Sequence, residues 1–172
     1  MNNSEIPEKK YWYALYTKPR HEFKAEAQIT ACGIENYLPK ITRLKQWSDR
    51  KKKVTEALFS GYIFIRGHEK ERLISLEQQS DIRSIFFDGK PAIVPDWQID
   101  NLKKMLAKTS DITVTDKLKV GTPVKIISGP FKDVEGIVYN TPNQEKMLAI
   151  TIDLLRRSVL VKIPVDSLIE NK

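Results

Sequence analysis

Apolar positions along this chain follow one rhythm up to about residue 109 and a different one after about residue 117. YWYALYT (Tyr11–Thr17) is a dense aromatic and aliphatic run that predicts a strand, and Pro19 blocks its extension. RHEFKAEAQITACG spaces Phe23, Ala27 and Ala31 along one helical face and stops at Gly33, which predicts an amphipathic helix with those residues inward. IENYLPKITRLKQW reads as a strand in which Pro39 makes an edge or a bend, SDRKK as a polar turn, and KVTEALF with GYIFIR as the returning strand. KERLISLEQQS predicts a helix, IRSIFF a strand, DGKP a turn and AIVP a short extended piece. DWQIDNLKKMLAK sets Trp97, Ile99, Leu102, Met105 and Leu106 at helical spacing behind Asp96 as a cap. The order β-α-β-β-α-β-α is close to a split βαβ pattern, an antiparallel sheet with helices largely on one face.

Beyond TSDITVTDK, which is polar and poor in large apolar residues as a linker should be, the periodicity shortens. VGTPVKIISG, VEGIVYN, MLAITID and SVLVKIPV are β-rich runs parted by Gly, Pro and Asn turns, which predicts a small closed or sandwiched barrel. The expected organisation is therefore α+β: a first domain over 10–109, a linker over 110–117 and a β domain over 118–172.

Composition narrows the class. The chain has 172 residues, 41% apolar and 30% charged, which suits one medium or two small globular domains. No apolar run is long enough to span a bilayer, and MNNSEIPEKK has no apolar signal core, so the expected location is cytoplasmic with no membrane partner. A lone cysteine, Cys32, permits no disulfide within the chain and reads as a small core residue of the first helix. The formal charge of +7 favours anionic partners, nucleic acid first. Nearly all of that excess sits between Lys40 and Lys53, where seven basic residues (Lys40, Arg43, Lys45, Arg50, Lys51, Lys52, Lys53) meet one acid, Asp49.

Catalysis has no foothold. The two histidines, His21 and His68, stand in highly charged helical stretches, with no zinc-helix spacing, phosphate-cradling glycine loop or nucleophile beside an orienting pair. No metal or cofactor is expected. ALFSGYIFIRG (Ala57–Gly67) is more informative, because it sets large rings beside a Ser-Gly bend. Alternation puts Tyr62 and Phe64 on one strand face and Ile63 and Ile65 on the other, and both faces cannot be the same core. Phe64 reads as core; Phe59 and Tyr62 read as a surface that grips a partner, against the alternative that they fill the sheet–helix interior.

GTPVKIISGPFKDVEGIVYN (Gly121–Asn140) resembles the KOW motif of transcription and translation factors, with a Gly129-Pro130 turn and Phe131 placed to plug a barrel end. WYALYTKPRHE, NYLP, LFSGYIFI and GKPAIVP precede it in that order, and together these segments resemble the NusG family over roughly Tyr11 to Ile169. The hairpin LKQWSDRKKKV and GKPAIVP are similar to specialised paralogues of the RfaH and UpxY kind, the latter antiterminators of surface-polysaccharide operons. Ser60 departs from the proline that many relatives carry there, which softens the bend.

The resemblance implies an N-terminal NGN domain, an antiparallel-sheet α/β sandwich, followed by a five-stranded KOW β-barrel. It implies a non-enzymatic, monomeric elongation or antitermination factor whose first domain holds the clamp helices of the large RNA polymerase subunit through Tyr16, Leu58, Phe59 and Tyr62. Lys18, Arg20, His21 and Lys24 would face upstream or non-template DNA, although Glu22 and Glu26 interleave with them and a solvated helix face explains them equally. The hairpin tip, with Trp47, Arg50, Lys51 and Lys52, would hold nucleic acid by stacking and charge, or would keep an edge hairpin soluble. Leu154, Leu155 and Arg157 would meet Rho or a small-subunit ribosomal protein; an irregular turn burying both leucines is the bland alternative. A helical form of the second domain is the minority reading, since ITI and SVLVKIPV favour strands. Two other functions stay open: a general NusG-like factor coupled to Rho or the ribosome, and a ribosomal or RNA-binding KOW protein.

Overall fold

A computed structural model describes residues 9–109, 111–116, 121–164, 166–167 and 169–172. The ends of the expected linker, Ser110 and Lys117, and the expected start of the second domain at 118–120 lie outside these residues, as does most of MNNSEIPEKK. In chain order the elements are β1 (Tyr11–Tyr16), α1 (Glu22–Ala31), β2 (Glu35–Tyr37), β3 (Lys40–Gln46), β4 (Lys51–Ala57), β5 (Tyr62–Gly67), α2 (Glu69–Leu76), β6 (Arg83–Ser84), β7 (Phe86–Phe87), β8 (Lys90–Pro91), β9 (Ile93–Val94), α3 (Asp96–Lys108), β10 (Thr113–Asp116), β11 (Thr122–Ile126), β12 (Glu135–Asn140), β13 (Lys146–Ile152), β14 (Arg157–Lys162) and β15 (Ile169–Asn171). They form two compact units: the chain up to Pro39 with Ala57–Asp96, and Lys40–Glu56 with Trp97–Lys172. These units divide the chain differently from the boundary expected after residue 109, because the β3–β4 hairpin and most of α3 group with the C-terminal strands.

In the first unit the sheet runs β2-β5-β1-β6, with β9 also pairing β1, and every pairing is antiparallel. The period of two decides the two faces. Tyr13, Leu15, Ile63 and Ile65 point into one cluster with Ala25 and Ile29 of α1 and with Ile34, Leu38 and Ile82, and Ile74 and Leu76 of α2 pack against it. On the other face Trp12, Ala14 and Phe64 are buried. The single strand expected over IENYLPKITRLKQW is instead broken at Leu38–Pro39 into β2 and β3, which pair in different sheets; Pro39 has no N–H to extend a ladder.

α1 is a helix where the sequence predicts one, but its inward face is different. Glu22, Ala25 and Ile29 are buried, while Phe23, Ala27, Ala31 and Cys32 are exposed. Ala25 and Ile29 pack with Ile34 in the sheet's cluster, and Glu22 on the same face accepts the Gly61 N–H. Cys32 caps the helix end through its backbone N–H instead of entering the core.

In the second unit β3 and β4 form an isolated two-stranded ribbon. The Trp47 N–H donates to the Arg50 carbonyl at 2.8 Å to close its tip, and the Thr42 and Thr55 hydroxyls meet at 2.8 Å across it. A six-stranded sheet follows in the order β10-β14-β13-β12-β11-β15, all antiparallel. Val124, Ile126, Phe131, Val134, Leu148, Ile150, Ile152 and Val159 are buried there. Two expectations are corrected at this point: the sheet has six strands where five were expected, and Thr113–Asp116, read as linker, is one of them. The alternating Thr-Val-Thr of that segment pairs with the edge of β14 and leaves fewer open backbone groups there.

A candidate docking surface and nucleic-acid interface

The bend in ALFSGYIFIRG is a tight reversal before β5. The Tyr62 N–H donates to the Phe59 carbonyl at 3.2 Å, and the Gly61 carbonyl accepts the Thr17 N–H at 2.8 Å. Gly61 has φ of +81°, and a Cβ added to it would lie 3.1 Å from Cε2 of Tyr16. Only glycine takes this backbone without strain and leaves the Tyr16 ring its seat.

Of the four residues expected to dock on polymerase, two are at the surface. Tyr16 and Tyr62 are directly paired across β1 and β5, their rings edge-to-face at 5.8 Å and 81°. Tyr16 is 36% exposed and Tyr62 is half-buried. Leu58 and Phe59 are at 8% and 4%, so their expected place on an open surface is corrected: they belong to the interior. The reversal explains this. It turns back at Ser60–Gly61, the Leu58 N–H is tied to the Pro39 carbonyl at 2.8 Å, and Phe59 folds inward to meet Phe64. Of the rings flanking the bend, Tyr62 stays half-exposed, while Phe59 before it and Phe64 after it are buried against each other.

The basic residues expected on DNA follow Tyr16 closely in the chain. Lys18, Arg20 and Lys24 are exposed and His21 is half-buried. The His21 N–H donates to the Lys18 carbonyl at 3.0 Å, and Arg20 takes a left-handed φ of +69°, so Lys18–His21 is a compact turn leading into α1. Of the two acids interleaved with these cations, Glu22 is buried and Glu26 is half-buried.

At the tip of the ribbon Trp47 is 52% exposed, with Arg50, Lys51 and Lys52 open to solvent around it. Lys52 Nζ stands 5.8 Å from the Trp47 ring centroid, so one indole face is held under a cation. Lys45 is ion-paired with Glu56, and Arg43 donates to the Ile112 carbonyl at 2.8 Å, which anchors the ribbon's base and leaves the tip as its free basic end.

Leu154, Leu155 and Arg157 do not form an open apolar patch. Asp153–Leu155 is a single 3-10 turn that buries Leu155 and leaves Leu154 half-exposed, between the two expectations of an open leucine patch and a turn burying both leucines. Arg157 is exposed and ion-paired with Asp116. The turn is further fastened by α3: Gln98 Nε2 donates to Asp153 Oδ2 at 2.8 Å and Gln98 Oε1 accepts the Asp153 N–H at 3.4 Å.

Sequence reasoning missed three exposed aromatics in the first unit. Phe23 stands on the outer face of α1, and Phe86 and Phe87, 61% and 73% exposed, form a hairpin with Lys90–Pro91. The signal was present in FFDGKP, since Asp-Gly between two short extended runs marks a two-residue hairpin whose rings alternate to both faces. Among the described residues no helix is long and apolar enough to cross a membrane.

Comparison with known proteins adds a family. The model described as transcription termination factor NusG matches residues 10–103. The transcription termination/antitermination protein NusG of Pseudomonas aeruginosa is 25% identical over 167 residues, covering 90% of this chain and 94% of that protein. The protein of the same name from Staphylococcus carnosus is 25% identical over 179 residues, covering 92% and 94%. A structure described as domain interaction in Thermotoga maritima NusG superposes with a TM-score of 0.50 at 25% identity, covering 91% of this chain and 94% of its own.

Proposed function

This chain belongs to the NusG family of transcription termination and antitermination factors, and from that premise we propose that it binds RNA polymerase and suppresses pausing or termination at a restricted set of operons. The reading assigns an NGN module to 10–109 and a KOW module to 118–172, with Thr113–Asp116 of the segment between them paired to β14. Its docking contact is the Tyr16–Tyr62 pair, which meets the clamp helices of the large polymerase subunit. The exposed edge-to-face geometry of that pair is the observation that carries the proposal. Two rigid aromatic rings at the end of a sheet give a helix a large apolar contact at small entropic cost.

Cations at Lys18, Arg20 and Lys24, with His21, contact upstream or non-template DNA, and the ribbon tip adds Trp47, Arg50, Lys51 and Lys52. By bridging the polymerase clamp and the opposing lobe, the first domain favours the closed, elongating state over the opened, paused one, since a ligand shifts an equilibrium toward the state it binds better. The factor acts as a monomer in the cytoplasm. The KOW module offers Leu154 and Arg157 to a further partner, Rho or a small-subunit ribosomal protein. The resemblance of LKQWSDRKKKV and GKPAIVP to specialised paralogues supports the operon-specific version over a general factor.

Pull-down with RNA polymerase tests the contact: Tyr16→Ala and Tyr62→Ala should each reduce capture while leaving the melting temperature within a few degrees. Undiminished capture by both variants rejects the docking site, and capture of ribosomes without polymerase rejects the function. Genome-wide occupancy decides scope, with signal confined to one or a few operons expected.

A further inference from the structure

Glu22 is a charged residue in an apolar place. It is only 4% exposed and shares the inward face of α1 with Ala25 and Ile29. Its Oε1 accepts the Gly61 N–H at 2.7 Å and lies 3.4 Å from the Ser60 hydroxyl, 39 and 38 residues away in sequence. We infer that Glu22 is the positioning residue of the Tyr16–Tyr62 pair, fastening the Ser60–Gly61 reversal from within so that both rings keep their relative orientation. The inference rests on the reading that this pair is the docking contact.

The chain of contacts is short. Glu22 holds the N–H of Gly61, and the Thr17 N–H holds its carbonyl at 2.8 Å. Gly61 is thus gripped on both sides, by the start of α1 and by the residue after Tyr16. The Tyr16 ring rests against its α-carbon, where a methyl group would sit 3.1 Å from Cε2. Tyr62 is the next residue, and its ring meets Tyr16 edge-on. Moving Gly61 therefore moves both rings, one through the backbone and one through its seat.

A hydrogen bond to a carboxylate is shorter and stronger than one between neutral groups, and it suits a reversal that must not flex. Burying a carboxylate on an otherwise apolar helix face is unfavourable for stability alone, and an apolar residue beside Ala25 and Ile29 would serve the core more simply. The placement fits a demand for geometry at the turn.

Three variants of the full chain test this. Glu22→Gln keeps an oxygen acceptor and should bind polymerase within about twofold of the parent. Glu22→Ala leaves the Gly61 N–H unpaired, and Glu22→Asp draws the carboxylate back by one methylene. Both should weaken binding by about tenfold, the order expected for one lost charge-assisted hydrogen bond. Their Tyr16 and Tyr62 ring proton signals should shift toward those of free tyrosine as the edge-to-face arrangement is lost, while the Glu22→Gln signals stay in place. Parent-like affinity or unchanged ring signals in Glu22→Ala and Glu22→Asp overturn the inference; should Glu22→Ala fail to fold, Glu22→Asp decides. Tyr62→Ala separates the two questions. If it binds as the parent does, the docking reading fails, and the ring signals alone still judge Glu22.

Discussion

Phe59 stands edge-on to Phe64, ring centroids 6.4 Å apart and planes at 89°, with both rings buried. Phe59→Ala should therefore act on folding, by about 3–5 kcal/mol for a buried aromatic truncated to a methyl group. Chemical denaturation measures this directly. Loss of partner binding in that variant would follow from loss of fold, which is why the exposed tyrosines are the proper probes of docking.

Asn101 on α3 gives a second stability prediction. Its Nδ2 donates to the Glu135 carbonyl at 3.1 Å and its Oδ1 accepts the Glu135 N–H at 3.3 Å, so one buried amide serves both peptide groups of a strand residue. Asn101→Ala should cost about 1–3 kcal/mol, since it leaves those groups without their partner. A thermal melt equal to the parent's would contradict the geometry.

Acid should loosen the start of α2. The His68 N–H bonded to Glu71 at 2.7 Å, with Lys10 beside it, holds the Glu71 carboxyl below its ordinary value of 4.5, and the hydrogen bond from Arg72 does the same for Glu69. Unfolding exposes carboxylates that protonate first as pH falls. The stability they contribute is thus fully present above about 4.5 and is lost as pH drops below it, through the lower folded values. Glu71→Gln should flatten the acid side of a melting-temperature profile, and an unchanged slope between about pH 5 and 3 would refute the assignment.

Salt dependence tests the ribbon. Reversing Lys51 and Lys52 to glutamate should weaken nucleic-acid binding and lower the slope of log affinity against log salt by about 0.9 for each duplex phosphate no longer neutralised. Trp47→Ala should cost about 1–3 kcal/mol of affinity for a single strand with little change in that slope, because stacking releases no counterions. A ribbon that serves only solubility would leave both quantities where they were.

Much of this was legible beforehand. The motif order, the basic run at 40–53, the strand in Tyr62–Gly67 with its two-faced alternation, and the β-rich C-terminal segment follow from local chemistry. Residue type and spacing act over a few residues, and a sequence displays that range directly. The candidate surface was only half legible: of the four large residues the sequence grouped there, Tyr16 and Tyr62 reach solvent, while Leu58 and Phe59 are buried, and residue type alone does not separate them.

What the sequence determined by itself was which elements exist, what charge they carry and which family they resemble. Only the tertiary structure decided which side of each element meets another. α1 carries apolar residues on two faces, and the choice of Ala25 and Ile29 over Phe23 and Ala27 is made by the groove of the sheet and by the amide of Gly61, 39 residues away from Glu22. Thr113–Asp116 became a strand because the edge of β14 offered it a ladder. A side chain's partner across the fold has no local signature, and burial belongs to the pair.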